Sequence, residues 1–372
     1  MTLRTALCDL LGIEYPIVQS GMGTVAGPEL VAEVSRAGGL GVLAGLNVPP
    51  PELRARIRRI RALTDRPFGV NLWMHSELRP SVDPATLPAA TVRDVQSVLN
   101  RFRARLDVPA TDARPAGRPA PIDVAFDVML EERVPVFSTG IGLPDAEMVK
   151  RCHAQGTRVI AMIATVDDAR AAAALGADAV IAQGGEAGGH RSVGVKPAAP
   201  ETTMVGTLAL VPQVADAVSV PVLAAGGIAD GRGLVAALAL GASGVLLGTR
   251  FVATRESMAP EFWKKRVLEL DGSDTTMSDA FTGQWARVLR NVFATEYRAS
   301  GAPVLPSLLQ SVAAQDVYAA AVARGDSEYY HLYAGQSAGL IRDLPGAGEV
   351  VEAIVREARA VLAALPRRVK TD

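Results

Sequence analysis

The sequence is short of several things, and each shortage closes off a class of protein. It has two cysteines, Cys8 and Cys152, in 372 residues. That count excludes a disulfide framework, and the pair has no metal-ligand or redox spacing. Histidines number four, and none forms a cluster with metal-ligand spacing, so no bound metal is expected. Aromatic residues are few (8 Phe, 6 Tyr and 3 Trp), and no basic stripe runs among them, which argues against a base-stacking platform. Neither sign of charge dominates: 38 Lys and Arg stand against 39 Asp and Glu, a net charge of −1. The main electrostatic argument for a nucleic acid or an anionic membrane surface is therefore missing. The most apolar stretch, residues 222–253, is broken by Asp230, Arg232 and Arg250, so no membrane span is expected. The first residues lack a long apolar segment and a small-residue cleavage site, so no signal peptide is expected and a cytoplasmic location is the expectation.

What is present is enough apolar material for a large core: 49% hydrophobic and 21% charged residues. Eight short apolar runs stand at 16–20, 40–45, 68–73, 134–138, 158–164, 179–183, 220–225 and 244–248. They do not alternate polar and apolar, as expected of parallel strands covered on both faces. Helical patterns fill the gaps at 28–37, 51–63, 123–132, 145–154, 167–175, 204–217 and 231–240. Eight strands with crossover helices predict an α/β fold, a (β/α)8 TIM barrel over residues 1–251. Residues 76–121 break the rhythm and predict an insertion after the third strand, with one helix near 88–106, acting either as a lid or as a surface loop. Residues 252–372 lack strand patterns and predict a mostly helical C-terminal subdomain over the barrel mouth.

In such a barrel chemistry belongs at the strand exits. Four exits carry unusual residues. Gln19-Ser20-Gly21-Met22-Gly23 follows the first strand, where glycine lets backbone approach a flat ligand. Asn71 is a lone amide inside the third strand and needs polar partners. Gln183-Gly184-Gly185-Glu186-Ala187-Gly188-Gly189-His190 follows the sixth strand and joins great backbone freedom to a titratable pair. His190 is the candidate catalytic group, and Glu186 either orients it or anchors the loop, the anchoring role being preferred. Gly226-Gly227 and Gly248-Thr249-Arg250 follow the seventh and eighth strands, where free amides at glycine turns suit an anion. Of the other histidines, His153 falls on a polar helix face, His75 follows the third strand, and His331 sits in an aromatic cluster that suits subdomain packing or a lid over a flat ring.

Taken together, the residues Gln19–Met22, the Gly-Val-Asn-Leu run through Asn71, the loop from Gln183 to His190, Gly226–Gly231 and Leu247–Phe251 resemble the nitronate monooxygenase family, once called 2-nitropropane dioxygenase. The match runs from about residue 8 to about residue 255, with a looser match at Ala334–Ile341. The resemblance implies FMN at the barrel mouth. It implies cofactor contacts from Ser20, Gly21, Met22, Asn71, Gln183, Gly188, Gly226, Gly227, Leu246, Leu247, Gly248 and Thr249, and His190 as the base for neutral nitroalkanes. The implied reaction is oxidation of alkyl nitronates, such as propionate 3-nitronate, by oxygen to carbonyl products and nitrite, a detoxification. A lysine that some bacterial members carry near the fifth strand has no counterpart, because this sequence reads Ala161-Met162-Ile163 there. A homodimer is compatible with the resemblance, although one chain fixes no interface. An FMN- and NADH-dependent enoyl-acyl-carrier-protein reductase shares the barrel, the flavin and the glutamate-to-histidine loop, and stands as the alternative. A flavin-free phosphate-binding aldolase or isomerase is more remote, since the strand exits lack a Schiff-base lysine or a metal cluster.

Overall fold

The computed structural model describes residues 3–79, 81–117 and 122–368. Eight parallel strands carry the fold: β1 (Ile17–Gln19), β2 (Gly41–Ala44), β3 (Phe68–Trp73), β4 (Val136–Gly140), β5 (Arg158–Ile163), β6 (Ala179–Gln183), β7 (Val222–Ala225) and β8 (Gly244–Leu247). Their order around the sheet is β1-β8-β7-β6-β5-β4-β3-β2, and a parallel bridge between Val18 and Leu40 closes the ring. This is the expected (β/α)8 barrel. Strand residues alternate between two cores. Val18, Val42, Val136, Ile160, Ile181, Leu223 and Leu246 fill the interior, while Leu43, Val70, Leu72 and Phe137 face the helices outside. The helix Pro28–Arg36 shows why the wall forms. Proline opens it, where a missing N–H costs nothing, and Leu30, Val31 and Val34 recur on one buried face.

The β1–β2 seam is held unusually. Beyond the Val18 bridge, Gln19 stands in for a strand. Its Oε1 accepts from Val42 N–H at 3.1 Å and its Nε2 donates to Val42 C=O at 3.3 Å. The side chain is fully buried, so both backbone groups depend on it. Gln19→Leu should lower unfolding stability by about 3 kcal/mol, because it strands two buried polar groups. Denaturant titration would test this, and a loss near zero would show that the seam does not rest on the amide.

Three features differ from the sequence expectation. A short helix, Ala6–Leu11, places Leu7, Cys8 and Leu11 in the barrel interior. It plugs the bottom, beside the first residue of β8. Residues 252–372 are expected from the sequence to be mostly helical with no strand pattern; Thr275–Ser278 and Ala286–Leu289 are nevertheless strands, and they form an antiparallel sheet with Gly189–His190 from the barrel. The final helix, Ala347–Arg368, packs on the barrel helices Gly231–Ala239 and Pro28–Arg36, so it completes the helical wall after a long excursion. Residue 80 and residues 118–121 of the expected insertion lie outside the described residues. Its helix, Ala89–Arg105, docks on the C-terminal excursion. There buried Arg103 donates to Asp316 and to the Ala313 carbonyl. No described helix is long and apolar enough to cross a membrane.

Candidate active site

The strand exits surround a cavity of about 310 Å³ at the barrel mouth. The loop after β6 is its most heavily built wall. The Gly185 carbonyl accepts from Arg287, and those of Gln183 and Gly184 accept from Arg191. Both guanidiniums are buried, and neither makes a salt bridge among the described residues. Burial beside a second cation pushes Arg191 down to about 10. Glu186 caps the helix Thr207–Ala217 instead of touching His190. Its oxygens accept from Thr207 N–H at 2.8 and 3.0 Å and from Thr207 Oγ1 at 2.8 Å, so the anchoring role is the observed one. Gly188 lies so close to the segment 334–335 that a Cβ there would sit 2.4 Å from the Gly335 nitrogen.

This loop delivers His190 to a two-residue strand paired with Ala286 and Arg287. Gln183 fixes its backbone: Nε2 donates to the His190 carbonyl and Oε1 accepts from Ser192 N–H, both at 2.8 Å. The Ser192 hydroxyl in turn ties the loop to β4 and β5 through Ile141 N–H and the Met162 carbonyl. The imidazole packs between Trp73 and Tyr333, with ring centroids 4.7 and 4.9 Å away. Its Nε2 lies 2.8 Å from Thr282 Oγ1. Burial, with the charge of nearby His331 second, pushes its pKa down to about 3, so the ring is neutral at physiological pH.

The other expected site residues divide. Ser20, Gly21, Met22, Asn71, Gln183, Gly188, Gly226, Leu246, Gly248 and Thr249 line the cavity with His190. Gln183 does so while each end of its amide already holds one loop partner, which leaves one N–H and one lone pair for a ligand. Leu247 and Gly227 are not among the lining residues. Strand alternation turns Leu247 into the outer core, and Gly227 stands just behind, next to Glu186. Asn71 Nδ2 donates to Ser138, leaving its side-chain Oδ1 without a partner among the described residues. His75 is buried away from the cavity with Nδ1 accepting from Glu77 N–H, and His153 pairs with Asp178 on the surface. Sequence reasoning missed Trp73, Met162, Trp263, Thr282, Tyr318 and Tyr333 as cavity residues. Most of these arrive from the excursion after β8, and only Tyr333 has a local mark, the aromatic cluster at 329–333 that suits a lid over a flat ring.

The cavity fits a flavin. Met22, Val25, Ala225, Ile228 and Leu246 offer an apolar bed. Gly226 and Gly227 take φ values of +104° and +72°, a conformation that glycine adopts freely. Among the described residues no protein acceptor is found for the amides of Gly227, Gly248 and Thr249, which leaves donors for a phosphate. Arg250 does not take part, since it is bound to Asp343 and the Ala253 carbonyl. No group of three His, Cys, Asp or Glu suited to a metal occurs among the described residues. Asn47, Ile141 and Leu308, which also line the cavity, have positive φ without being glycine, so backbone strain collects around this site.

Comparison with known proteins agrees. The family model described as nitronate monooxygenase matches residues 4–357. A probable nitronate monooxygenase of Staphylococcus aureus (strain Newman) is 33% identical over 359 residues, covering 96% of this chain and 98% of that protein. A crystal structure of nitroalkane oxidase from Streptomyces ansochromogenes is 37% identical with a TM-score of 0.87, covering 97% of this chain and all of that one. The structure of FabK from Thermotoga maritima is 34% identical with a TM-score of 0.75, covering 99% of this chain and all of that one.

Proposed function

This chain belongs to the nitronate monooxygenase family, and from that premise we propose that it uses FMN to oxidise alkyl nitronates with oxygen, yielding carbonyl compounds and nitrite. The observation that carries the reading is the neutral imidazole of His190, which lines a cavity with an apolar bed and with backbone amides that find no acceptor among the described residues. The amides of Gly227, Gly248 and Thr249 would hold the FMN phosphate, Asn71 would accept from the ring edge, and the Ser20–Met22 backbone would lie along the ring. Bound FMN supplies the electron-accepting chemistry. The protein's part is orientation, exclusion of water and one proton transfer.

With a neutral nitroalkane, His190 removes the α-proton. The depressed pKa of the free site favours this less than an ordinary imidazole would, but the nitronate formed is an anion beside the ring. An adjacent negative charge favours imidazolium, so proton and charge appear together as a pair. Trp73 and Tyr333 fix the plane of the ring, and Thr282 holds Nε2. With a preformed nitronate this step is bypassed.

The enoyl reductase alternative calls for NADH. Oxygen uptake with butyl nitronate, run beside NADH consumption with a crotonyl thioester, separates the two. The expected outcome is a yellow protein that takes up oxygen with the nitronate, at a rate unaffected by chelators. Steady NADH oxidation driven by the thioester, with no nitronate-dependent oxygen uptake, would favour the reductase. No lysine side chain lines the cavity, which speaks against the Schiff-base aldolase reading. A cytoplasmic location is supported by Cys8 and Cys152, both buried and unpaired, as suits a reducing compartment.

A further inference from the structure

We propose that Glu77 is a positioning residue for His190: its carboxylate clips the excursion after β8 to the exit of β3, and so holds Thr282 in place on the imidazole that Trp73 packs. The proposal rests on the base reading above and adds to it a residue that lies outside the cavity lining.

The partners of the His190 ring come from segments far apart in the chain. Trp73 ends β3 and packs on the ring with centroids 4.7 Å apart. Thr282 belongs to the turn between Thr275–Ser278 and Ala286–Leu289, and its Oγ1 lies 2.8 Å from Nε2. Glu77 follows Trp73 by four places and reaches over to that turn. A single oxygen, Oε2, accepts from Gln284 Nε2 at 3.1 Å and from Ser307 N–H at 2.7 Å. Gln284 stands two places after Thr282. Ser307 precedes Leu308, whose N–H donates to the Thr282 carbonyl at 2.8 Å. The two stretches that Glu77 gathers are therefore the one that contains Thr282 and the one that holds its backbone. They are pressed together as well. Gly283 has φ of +86°, and a Cβ there would overlap the Leu305 carbonyl oxygen, so the turn and the stretch 305–308 form one packed body.

Glu77 is itself aimed. The buried His75 ring accepts from Glu77 N–H at Nδ1, at 3.1 Å. Ser76 donates to the Gly194 carbonyl through its hydroxyl. Among the described residues Glu77 forms no ion pair with Lys or Arg, so its charge is spent on the two hydrogen bonds, and bonds to an ionised acceptor are the strong ones. Elsewhere the turn is tied to the loop after β6, where Lys196 meets Asp279 and Trp285 Nε1 donates to the Pro197 carbonyl. Glu77 supplies the tie on the β3 side. Without it the turn is free to draw away from Trp73, and Thr282 leaves the imidazole with it.

The test compares nitroethane, which needs the base, with ethyl nitronate, which does not, by oxygen uptake per bound flavin. Glu77→Ala is expected to lower kcat/KM for nitroethane by about 10- to 100-fold, the cost of a misplaced reacting group, and that for ethyl nitronate far less. Glu77→Gln should recover most of the loss, because an amide oxygen can accept the same two bonds. In a Thr282→Val background Glu77→Ala should change the nitroethane value little, since the contact through which it acts is already gone. Equal losses on the two substrates overturn the proposal. So does a loss of the same factor with and without Thr282, or a Glu77→Ala protein as active as the wild type. Equal losses on the two substrates in His190→Asn would instead overturn the base reading, and the proposal with it.

Discussion

Replacing His190 with Asn is expected to cut turnover of neutral nitroalkanes by about 10²- to 10⁴-fold, the usual range for a lost general base. Turnover of preformed nitronates should fall far less, because they arrive without the α-proton. Asparagine keeps a polar group near Thr282 but cannot take up a proton, so the difference between the two substrates isolates the base. Paired oxygen-uptake assays on nitroethane and ethyl nitronate measure it, and equal losses would remove the role. The pH dependence follows from the same group. Burial lowers the pKa of His190 from the ordinary 6.5 to about 3, so the neutral, competent form persists well into acid. The acid limb of kcat/KM for nitroalkanes should therefore lie near pH 3, well below that of a solvated histidine. Stability carries the same sign. Between pH 6.5 and about 3 the unfolded chain binds this proton and the folded one does not. The stabilisation associated with His190 is complete above pH 6.5 and is lost as the pH falls through that window.

Gly188→Val should release the flavin. The added Cβ would stand 2.4 Å from the Gly335 nitrogen and 2.5 Å from the Ala334 carbonyl carbon. Both are backbone atoms, so no side-chain rotation relieves the clash. Either the β6 loop or the segment 334–336 must move, and the pair is further tied by Gln336 N–H donating to the Glu186 carbonyl. Overpacking of this kind costs about 1–3 kcal/mol, which corresponds to roughly a five- to 150-fold weaker grip if the strain falls on the bound loop. FMN titration of the apoprotein, followed by fluorescence quenching, reads this directly. Gly348→Ala is the comparison, because a methyl there, in the final helix and away from the cavity, meets nothing closer than 3.6 Å, and it should leave binding nearly unchanged. Full FMN retention in Gly188→Val would count against the loop as part of the cofactor site.

The barrel was legible because buried parallel strands leave a plain signature: apolar runs ended by glycine, at helix-length intervals. The two strands at Thr275–Ser278 and Ala286–Leu289 left none. Each has four residues, the first is largely polar, and the second carries Arg287, whose charge looks misplaced until the Gly185 carbonyl is seen in front of it. The final helix was legible as a helix but not as part of the barrel, since about a hundred residues separate it from β8 and only tertiary packing reunites them. The site divides similarly. Glycine loops and His190 announce themselves through local composition. Thr282 and Trp73 earn their places only through approach in space. Strand alternation sends the Leu247 side chain outward while Leu246 faces in, so of that pair only Leu246 can offer its side chain to the cavity. Gln183 shows a limit, for nothing in the sequence tells how much of an amide is held by its own loop and how much is left for a ligand.

The way the chain returns to the barrel has a consequence for substrate entry. The segment that roofs the site leaves the wall at β8 and rejoins it at the helix Ala347–Arg368, so it is moored at both ends. Its middle is stitched down again where Ala286 and Arg287 pair with Gly189 and His190. A cover fastened at two edges and along its centre has no free hinge about which to swing as a rigid flap. A molecule that enters must then be admitted by small local shifts of side chains around the cavity, more than by a domain motion.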